Sequence, residues 1–81
     1  MTNEAPTLTT FETKPPTLQE AQDIVGGYVE MTYSATQPDV QILINEDGIS
    51  LALGANPAAT ILCGKPIVGN VVVLKGAALW D

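Results

Sequence analysis

The side chains with the greatest capacity for chemistry cluster around one turn of the chain. Asn45, Glu46 and Asp47 stand directly before Gly48, and Asn56 follows at the start of a later apolar segment. Oxygen-rich loops bind hard cations, but a calcium loop of the EF-hand type needs oxygen ligands at alternating positions and a distal glutamate, which this turn lacks. Turn formation and helix capping explain the same residues more simply. We therefore predict no metal site.

A second set of candidates includes residues of an earlier predicted strand, over residues 28–33. Tyr28 and Glu30 lie on one side of that predicted strand. Together with the turn residues Asn45 and Glu46 they can line a pocket, and these four residues form the candidate ligand-binding site. A solvated strand face is the alternative explanation. Two carboxylates can act in general acid–base catalysis, but no partner base or electrophile is visible, so we predict no catalytic residue and expect no enzyme.

Cysteine and glycine supply two weaker candidates. Cys63 is the only cysteine, and the chain has no histidine to activate its thiol. A lone cysteine among apolar residues is typical of a small buried side chain, so we predict neither a disulfide nor a nucleophile. Gly26 and Gly27 follow the predicted helix, whereas a phosphate-binding loop precedes one. We therefore expect no phosphate site and no cofactor.

The charge of the chain restricts its partners. Nine acidic residues against three lysines, without arginine, give a net charge of −6 over 81 residues. Binding to nucleic acid or to an anionic membrane needs cationic contacts, so we expect neither partner. The longest apolar run is far shorter than the roughly 20 residues of a transmembrane helix. The first residues lack a signal-peptide pattern, which predicts a cytoplasmic location.

One well-marked helix positions the elements around it. Thr17 and Glu20 have the spacing of a capping box, in which each side chain accepts a hydrogen bond from the other residue's backbone N–H. An apolar stripe follows, and Gly26 with Gly27 ends the helix, because glycine adopts the left-handed conformation without steric cost. The main helix is therefore predicted over about residues 17–26.

Strands are predicted on both sides of this helix. Segment 7–13 is threonine-rich and alternates as a strand does, with a disordered tail as the alternative. Segment 28–33 alternates with Val29, Met31 and Tyr33 on its core side. Segment 40–44 is β-branched and is expected to pair with the strand before it.

The turn after residue 44 favours a hairpin. Asp47 and Gly48 tolerate the positive φ angles that a tight hairpin turn requires. A further short strand is therefore predicted over residues 49–53.

A short second helix and a last strand complete the pattern. Asn56 is a predicted cap, Pro57 suits the first helical position, and the helix is expected over about residues 57–63. Segment 67–75 is apolar on both faces, which is typical of a central strand. The apolar pair that follows, Leu79 and Trp80, is expected to pack over a sheet edge or a partner.

Together these elements predict one small α+β domain with a four- to five-stranded mixed or antiparallel sheet, one main helix and one short helix. Residues 1–6 are expected to be a frayed N-terminus and residues 7–81 to form the domain. The predicted largely buried side chains are Ile24, Val25, Val29, Met31, Ile42, Ile44, Val71 and Val73.

Four segments in a fixed order resemble a known family. They are LQEAQDIVGGYVE, INEDG, ANPAAT and PIVGNVVVL, and they extend from Leu18 to Leu74. The chain resembles an uncharacterised family of small bacterial, plasmid and phage domains, a domain of unknown function with these motifs in this order. It departs from the family in its threonine-rich first strand and in the short link before its last strand. The resemblance implies an α+β domain in a phage or bacterial setting, with host cytosol as the location for a phage protein, and implies no reaction.

The leading function hypothesis is a small phage or mobile-element accessory protein that acts without catalysis, by binding a host protein or itself. One alternative is a small-ligand-binding module at a pocket or dimer seam around the four candidate residues. Another is an acidic nucleic-acid mimic that inhibits a host defence protein. Its dispersed acids are few for a surface that imitates one charge per roughly 1.7 Å of duplex.

A homodimer is expected from the small size of the domain. A thin core leaves a strand edge and an apolar tail, and only 15% of residues are charged and able to guard them. A dimer formed by pairing of strand edges or packing of sheets, with Trp80 in or near the contact, would cover both surfaces. A tail folded back on its own sheet is the alternative.

Overall fold

The computed structural model describes residues 6–80 and contains the predicted α+β architecture. Residues 1–5 lie outside the described residues, and with them most of the segment expected to fray. The elements in chain order are β1 (Leu8–Phe11), α1 (Leu18–Val25), β2 (Val29–Tyr33), β3 (Gln41–Asn45), α2 (Pro57–Cys63) and β4 (Val71–Leu74), followed by a 3-10 turn at Gly76–Ala78.

The four strands form one mixed sheet in the order β1-β4-β3-β2. β1 pairs parallel to β4, with Leu8 opposite Val71, whereas β3 is antiparallel to both β4 and β2. Every residue of β4 is at most 1% exposed. The prediction of a central last strand is confirmed for residues 71–74, whereas residues 67–70 and 75 of the predicted segment lie outside the strand. β1 and β2 are the two edges of the sheet.

Apolar side chains fill both faces of this sheet, because its inner strands are apolar on both sides. One core lies on the α1 face and consists of Ala21, Val25, Leu43, Val72 and Leu74. The other includes residues of α2 and consists of Val40, Ile42, Ala59, Cys63, Ile67, Val71 and Val73. Each helix therefore covers one side of the same central strands.

Local capping determines where both helices begin and end. The Thr17 hydroxyl accepts from the Glu20 N–H at 3.1 Å, and the Glu20 carboxylate accepts from the Thr17 N–H at 2.8 Å. Gly26 ends α1 with φ 82° and Gly64 ends α2 with φ 78°, both in the left-handed region. The predicted capping box, helix ends and second helix are confirmed.

The strand predicted over residues 49–53 is wrong. Residues 46–52 form consecutive turns, in which the Leu51 N–H donates to the Asp47 carbonyl at 2.9 Å and the Leu53 N–H donates to the Gly48 carbonyl at 3.0 Å. The Asn45 side chain starts this coil, since its Oδ1 accepts from the Asp47 N–H at 2.8 Å. Backbone groups bonded within the turn cannot pair with β3, so no hairpin forms there.

The eight predicted core residues divide evenly between buried and half-buried positions. Val25, Ile42, Val71 and Val73 are buried. The other four predicted core residues, Ile24, Val29, Met31 and Ile44, are half-buried and pack against the two cores.

Tyr33 was expected on the core side of its strand but is 60% exposed. It is the last residue of the edge strand β2, and it lies outside both core clusters. Its hydroxyl donates to the Met31 sulfur at 3.4 Å. The side chain therefore extends along the edge instead of into the core.

The C-terminal tail folds back onto its own sheet. The Trp80 indole N–H donates to the Pro16 carbonyl at 3.0 Å, and its ring packs, half-buried, against the α1-side core. The Gln41 side chain bonds both the N–H and the carbonyl of Trp80, each at 2.7 Å. Trp80 thus has a packing role within a single chain.

Candidate functional site

Three asparagine side chains brace the end of the sheet where β3 stops and the other strands start. Asn45 is 5% exposed, and its Nδ2 donates to the Val25 carbonyl at the end of α1, at 3.1 Å. A Cβ at Gly27 would lie 3.0 Å from that Nδ2, so the second glycine of the helix stop makes room for the asparagine. Asn45 therefore joins β3, α1 and the following turn.

Asn56 and Asn70 make the corresponding connections around β1. Asn56 is 1% exposed, and its Nδ2 donates to the carbonyls of Thr7 at 3.1 Å and Gly69 at 2.9 Å. Its Oδ1 caps α2 by accepting from the Ala59 N–H. Asn70 accepts from the Thr7 N–H at 2.9 Å and donates to the Ile24 carbonyl at 3.2 Å. The asparagines of the sequence motifs are thus engaged in holding the fold together.

The structure brings three of the four candidate ligand-binding residues to one groove. Glu30, Asn45 and Glu46 line it, whereas Tyr28 lies beside a separate hollow near the end of α1. Tyr28 is nevertheless bonded to a groove residue through the backbone, because the Glu46 N–H donates to the Tyr28 carbonyl at 2.9 Å. Of the three groove residues, Asn45 has both amide atoms occupied by the bonds described above.

We call this depression the Glu30–Glu46 groove. It has a volume of about 120 Å³, and its apolar lining includes Ile44, Ile67 and Val68. Both glutamates are exposed, and no lysine is among the lining residues. Ile49, also in the lining, is 85% exposed. Pockets for small ligands usually measure about 300–1,000 Å³, so the groove fits a single side chain better than a whole metabolite.

The outer edge of β2 borders this groove, and sequence reasoning did not single it out. In an antiparallel pair, residues alternate between turning their backbone groups toward the partner strand and away from it. Because the Tyr28 carbonyl bonds Glu46, this alternation directs Glu30 and Thr32 toward β3. The N–H and carbonyl groups of Val29, Met31 and Tyr33 therefore point outward, and no hydrogen-bond partner for them lies within residues 6–80.

Two exposed tyrosines mark this edge in the structure, although the sequence pattern placed one of them, Tyr33, on the core side of its strand. Tyr28 is 70% exposed and Tyr33 is 60% exposed, and they stand at the two ends of β2. The alternation of residues 28–33 predicts a strand but does not show which strands lie beside it. Only the sheet order shows that β2 has one free side.

Cys63 is buried in the core on the α2 face, as its apolar neighbours predicted. Burial raises the pKa of its thiol, while nearby Lys65 opposes this rise weakly. A raised pKa disfavours the thiolate, which is the nucleophilic form. Cys63 accordingly serves as a small packing residue.

Other hollows carry no concentrated chemistry. A hollow of about 400 Å³ follows the β1–α1 connection and includes Lys14 and Glu20, and another of similar volume lies beside Asp23 and Tyr28. Across residues 6–80, no three acidic, cysteine or histidine side chains gather as metal ligands do. Likewise, no helix in this range has the length and apolarity needed to cross a bilayer.

Comparison with known proteins places the chain in a family but assigns no activity to it. No curated protein and no solved structure matches it. A family sequence model matches residues 2–78, which is nearly the whole chain and includes the bracing asparagines, the Glu30–Glu46 groove and both edge strands. The protein belongs to the family described as domain of unknown function (DUF3846).

Proposed function

We propose that this protein is a non-catalytic accessory protein of a phage or mobile element that acts in the host cytosol by protein–protein interaction. The observation that carries the proposal is the free edge of β2, with outward backbone groups at Val29, Met31 and Tyr33. The sequence motifs support the phage or bacterial setting through the family resemblance.

An unpaired strand edge is a ready template for another strand. An extended segment that adds to such an edge gains a row of main-chain hydrogen bonds, and the neighbouring side-chain pockets supply its specificity. Proteins that avoid this contact place lysine or proline on the edge, or cover it. β2 contains neither residue type, and exposed tyrosines stand at both of its ends.

The proposal is tested by blocking the edge without removing a strand. Tyr33→Pro deletes one outward N–H, and Tyr33→Ala is the matched control that keeps it. Each tagged protein is used to capture partners from a bacterial host lysate, with identification by mass spectrometry. We expect one specific partner to be captured by the wild-type chain and by Tyr33→Ala, and to be lost with Tyr33→Pro. A partner that is held equally by all three proteins would show that another surface binds it.

A homodimer through the same edge is the second candidate. Antiparallel self-pairing about a two-fold axis at Met31 places Glu30 opposite Thr32 of the second copy, which avoids a direct pair of like charges. Sedimentation equilibrium at tens of micromolar protein tests it: this candidate requires a dimer mass that Tyr33→Pro reduces to the monomer. A purely monomeric wild-type protein would end the idea. Trp80→Ala separates the tail from the contact: an unchanged dissociation constant leaves Trp80 as a packing residue of one chain.

A further inference from the structure

The groove and the free edge form one continuous surface. Glu30 belongs to β2 and also lines the Glu30–Glu46 groove. A strand added antiparallel to β2 would bond to the outward groups of Val29, Met31 and Tyr33. Glu30 would then stand in a non-hydrogen-bonded pair, the type of pair in which opposing side chains lie closest. The residue of the added strand opposite Glu30 would therefore stand beside Glu30, on the face of the sheet that carries the groove, within reach of it for a long side chain.

The groove is suited to a long cationic side chain. Its lining combines two exposed carboxylates, Glu30 and Glu46, with apolar Ile44, Ile67 and Val68. Lysine and arginine have an apolar stem and a charged end, so their stems cover apolar surface while their charges remain accessible to water. A volume of about 120 Å³ accommodates one such side chain.

We infer that the partner contributes an extended strand that carries a lysine or arginine, and that this strand pairs with β2 and places its basic side chain between Glu30 and Glu46. The inference rests on the proposed function and specifies its partner. A second copy of this chain fits less well, because β2 contains no basic residue and would place Thr32 opposite Glu30. The net charge of −6 likewise favours a basic partner over another copy.

Synthetic peptides test the chemistry without the natural partner. The probe is a nine-residue peptide of alternating threonine and valine with lysine at its centre, and matched peptides carry glutamine or glutamate at that position. Binding to the full chain is followed by nuclear magnetic resonance of the backbone amides. We expect the lysine peptide to shift the amides of Val29, Met31 and Tyr33 and to slow their hydrogen exchange. The glutamine peptide should bind roughly two- to fivefold more weakly, and the glutamate peptide more weakly again.

Two variants attribute the preference to the groove. Glu30→Gln combined with Glu46→Gln should remove the preference for lysine over glutamine and leave the shifted amides the same. Glu12→Gln, an exposed carboxylate that follows β1, is the matched control and should keep the preference. High salt should reduce the preference in the wild-type chain, because exposed charges are screened.

The outcomes separate this inference from the proposed function. Equal affinities for the lysine, glutamine and glutamate peptides, with shifts at β2, would overturn the basic partner and leave the edge as a docking site. Shifts confined to β1, or no shift at millimolar peptide, would overturn the inference itself. The proposed function would then be decided separately by the capture experiment with Tyr33→Pro and Tyr33→Ala.

Discussion

The two edges of this sheet have the same four-stranded scaffold behind them but differ in what surrounds them. At β1, the alternation set by the Val71 N–H bond to the Thr7 carbonyl turns only Leu8 and Thr10 outward. Prolines stand on both sides of that strand, at Pro6 and in the connection to α1. β2 turns three residues outward and has no adjacent proline or lysine. Prolines and short length are standard means of discouraging strand addition, so under the proposed function we expect β2, more than β1, to pair with a partner.

Under the proposed function, this difference between the edges would confine strand addition to β2. Short length and nearby prolines limit strand addition at β1. Asn70 holds the start of β1, and Asn45 holds the end of α1, from which the chain enters β2. β2 therefore presents its outward groups from a backbone that is already fixed, and binding needs little further ordering of the chain. Preorganisation of this type lowers the entropic cost of association.

The largest expected effect compares the central strand with an edge. Val71→Asp places an unpaired charge in a fully buried site and should unfold the domain, because the cost of several kcal/mol is comparable to its whole stability. Ile42→Asp should do the same. Thr10→Asp, at an exposed position of β1, is the control and should change the free energy of unfolding by less than about 0.5 kcal/mol. Thermal unfolding measured by circular dichroism checks this, and a cooperative melt in both core variants would mean that the strand faces are misassigned.

The next effect separates the two sides of β2. Thr32→Pro removes a bond to β3 and should destabilise the domain by about 1–3 kcal/mol, since proline cannot donate within a paired ladder and leaves a carbonyl of β3 without its partner. Tyr33→Pro removes an outward N–H and an exposed side chain but no bond to β3, and it should cost less than about 1 kcal/mol. Urea unfolding of both variants measures the difference. Equal destabilisation would contradict the assigned direction of the backbone groups and, with it, the free edge.

A smaller effect compares the asparagines that brace the two sides of the sheet. Asn45→Ala leaves the Val25 carbonyl and the Asp47 N–H without their partner in a buried site, which should cost about 1–3 kcal/mol. Asn70 is exposed, so water can replace its bonds and Asn70→Ala should cost less, about 0.5–1 kcal/mol. Urea unfolding measures the free energy of unfolding of both variants. A larger decrease for Asn70→Ala than for Asn45→Ala would show that burial does not decide the contribution of these asparagines.

The smallest effect concerns the cap of α1, in the connection that follows β1. The Thr17 backbone N–H, the Thr17 hydroxyl and, more weakly, Lys14 hold the pKa of Glu20 below its ordinary value of 4.5. A carboxyl pKa that is lower in the folded state gives stability above the unfolded pKa, and this stability is lost as the pH falls through the folded pKa. We expect a slight decline in stability below about pH 4.5 that Glu20→Gln reduces. Denaturation at a series of pH values checks it, and an unchanged slope in Glu20→Gln would assign the decline to other acids.

Sequence reasoning succeeded where a structure depends on neighbouring residues. The capping box of Thr17 and Glu20 and the Asn56 cap involve partners only three residues away, so their spacing was sufficient to predict both helices. The same local reasoning failed at Asp47 and Gly48. Their hairpin signal was correct as a turn, but the Asn45 side chain begins a coil of consecutive turns where a strand was expected.

The candidate ligand-binding site shows the same contrast between local and long-range information. The sequence indicated Tyr28, Glu30, Asn45 and Glu46 because polar residues on a strand and a turn are recognisable by type. The structure shows that Asn45 is engaged in bracing, that Tyr28 lies apart, and that Glu30 and Glu46 share a groove. These distinctions depend on which distant groups each side chain meets.

By itself, then, the amino-acid sequence determined the helices, their ends, the approximate positions of the four strands and the apolar character of the last strand. Tertiary structure alone decided the sheet order β1-β4-β3-β2, and through it which strand is free. The physical reason is range: caps and periodicity act over a few residues of chain. The order of the strands depends instead on contacts between residues far apart in the chain, such as that of Thr7 with Asn70. Such contacts form only when the whole core packs.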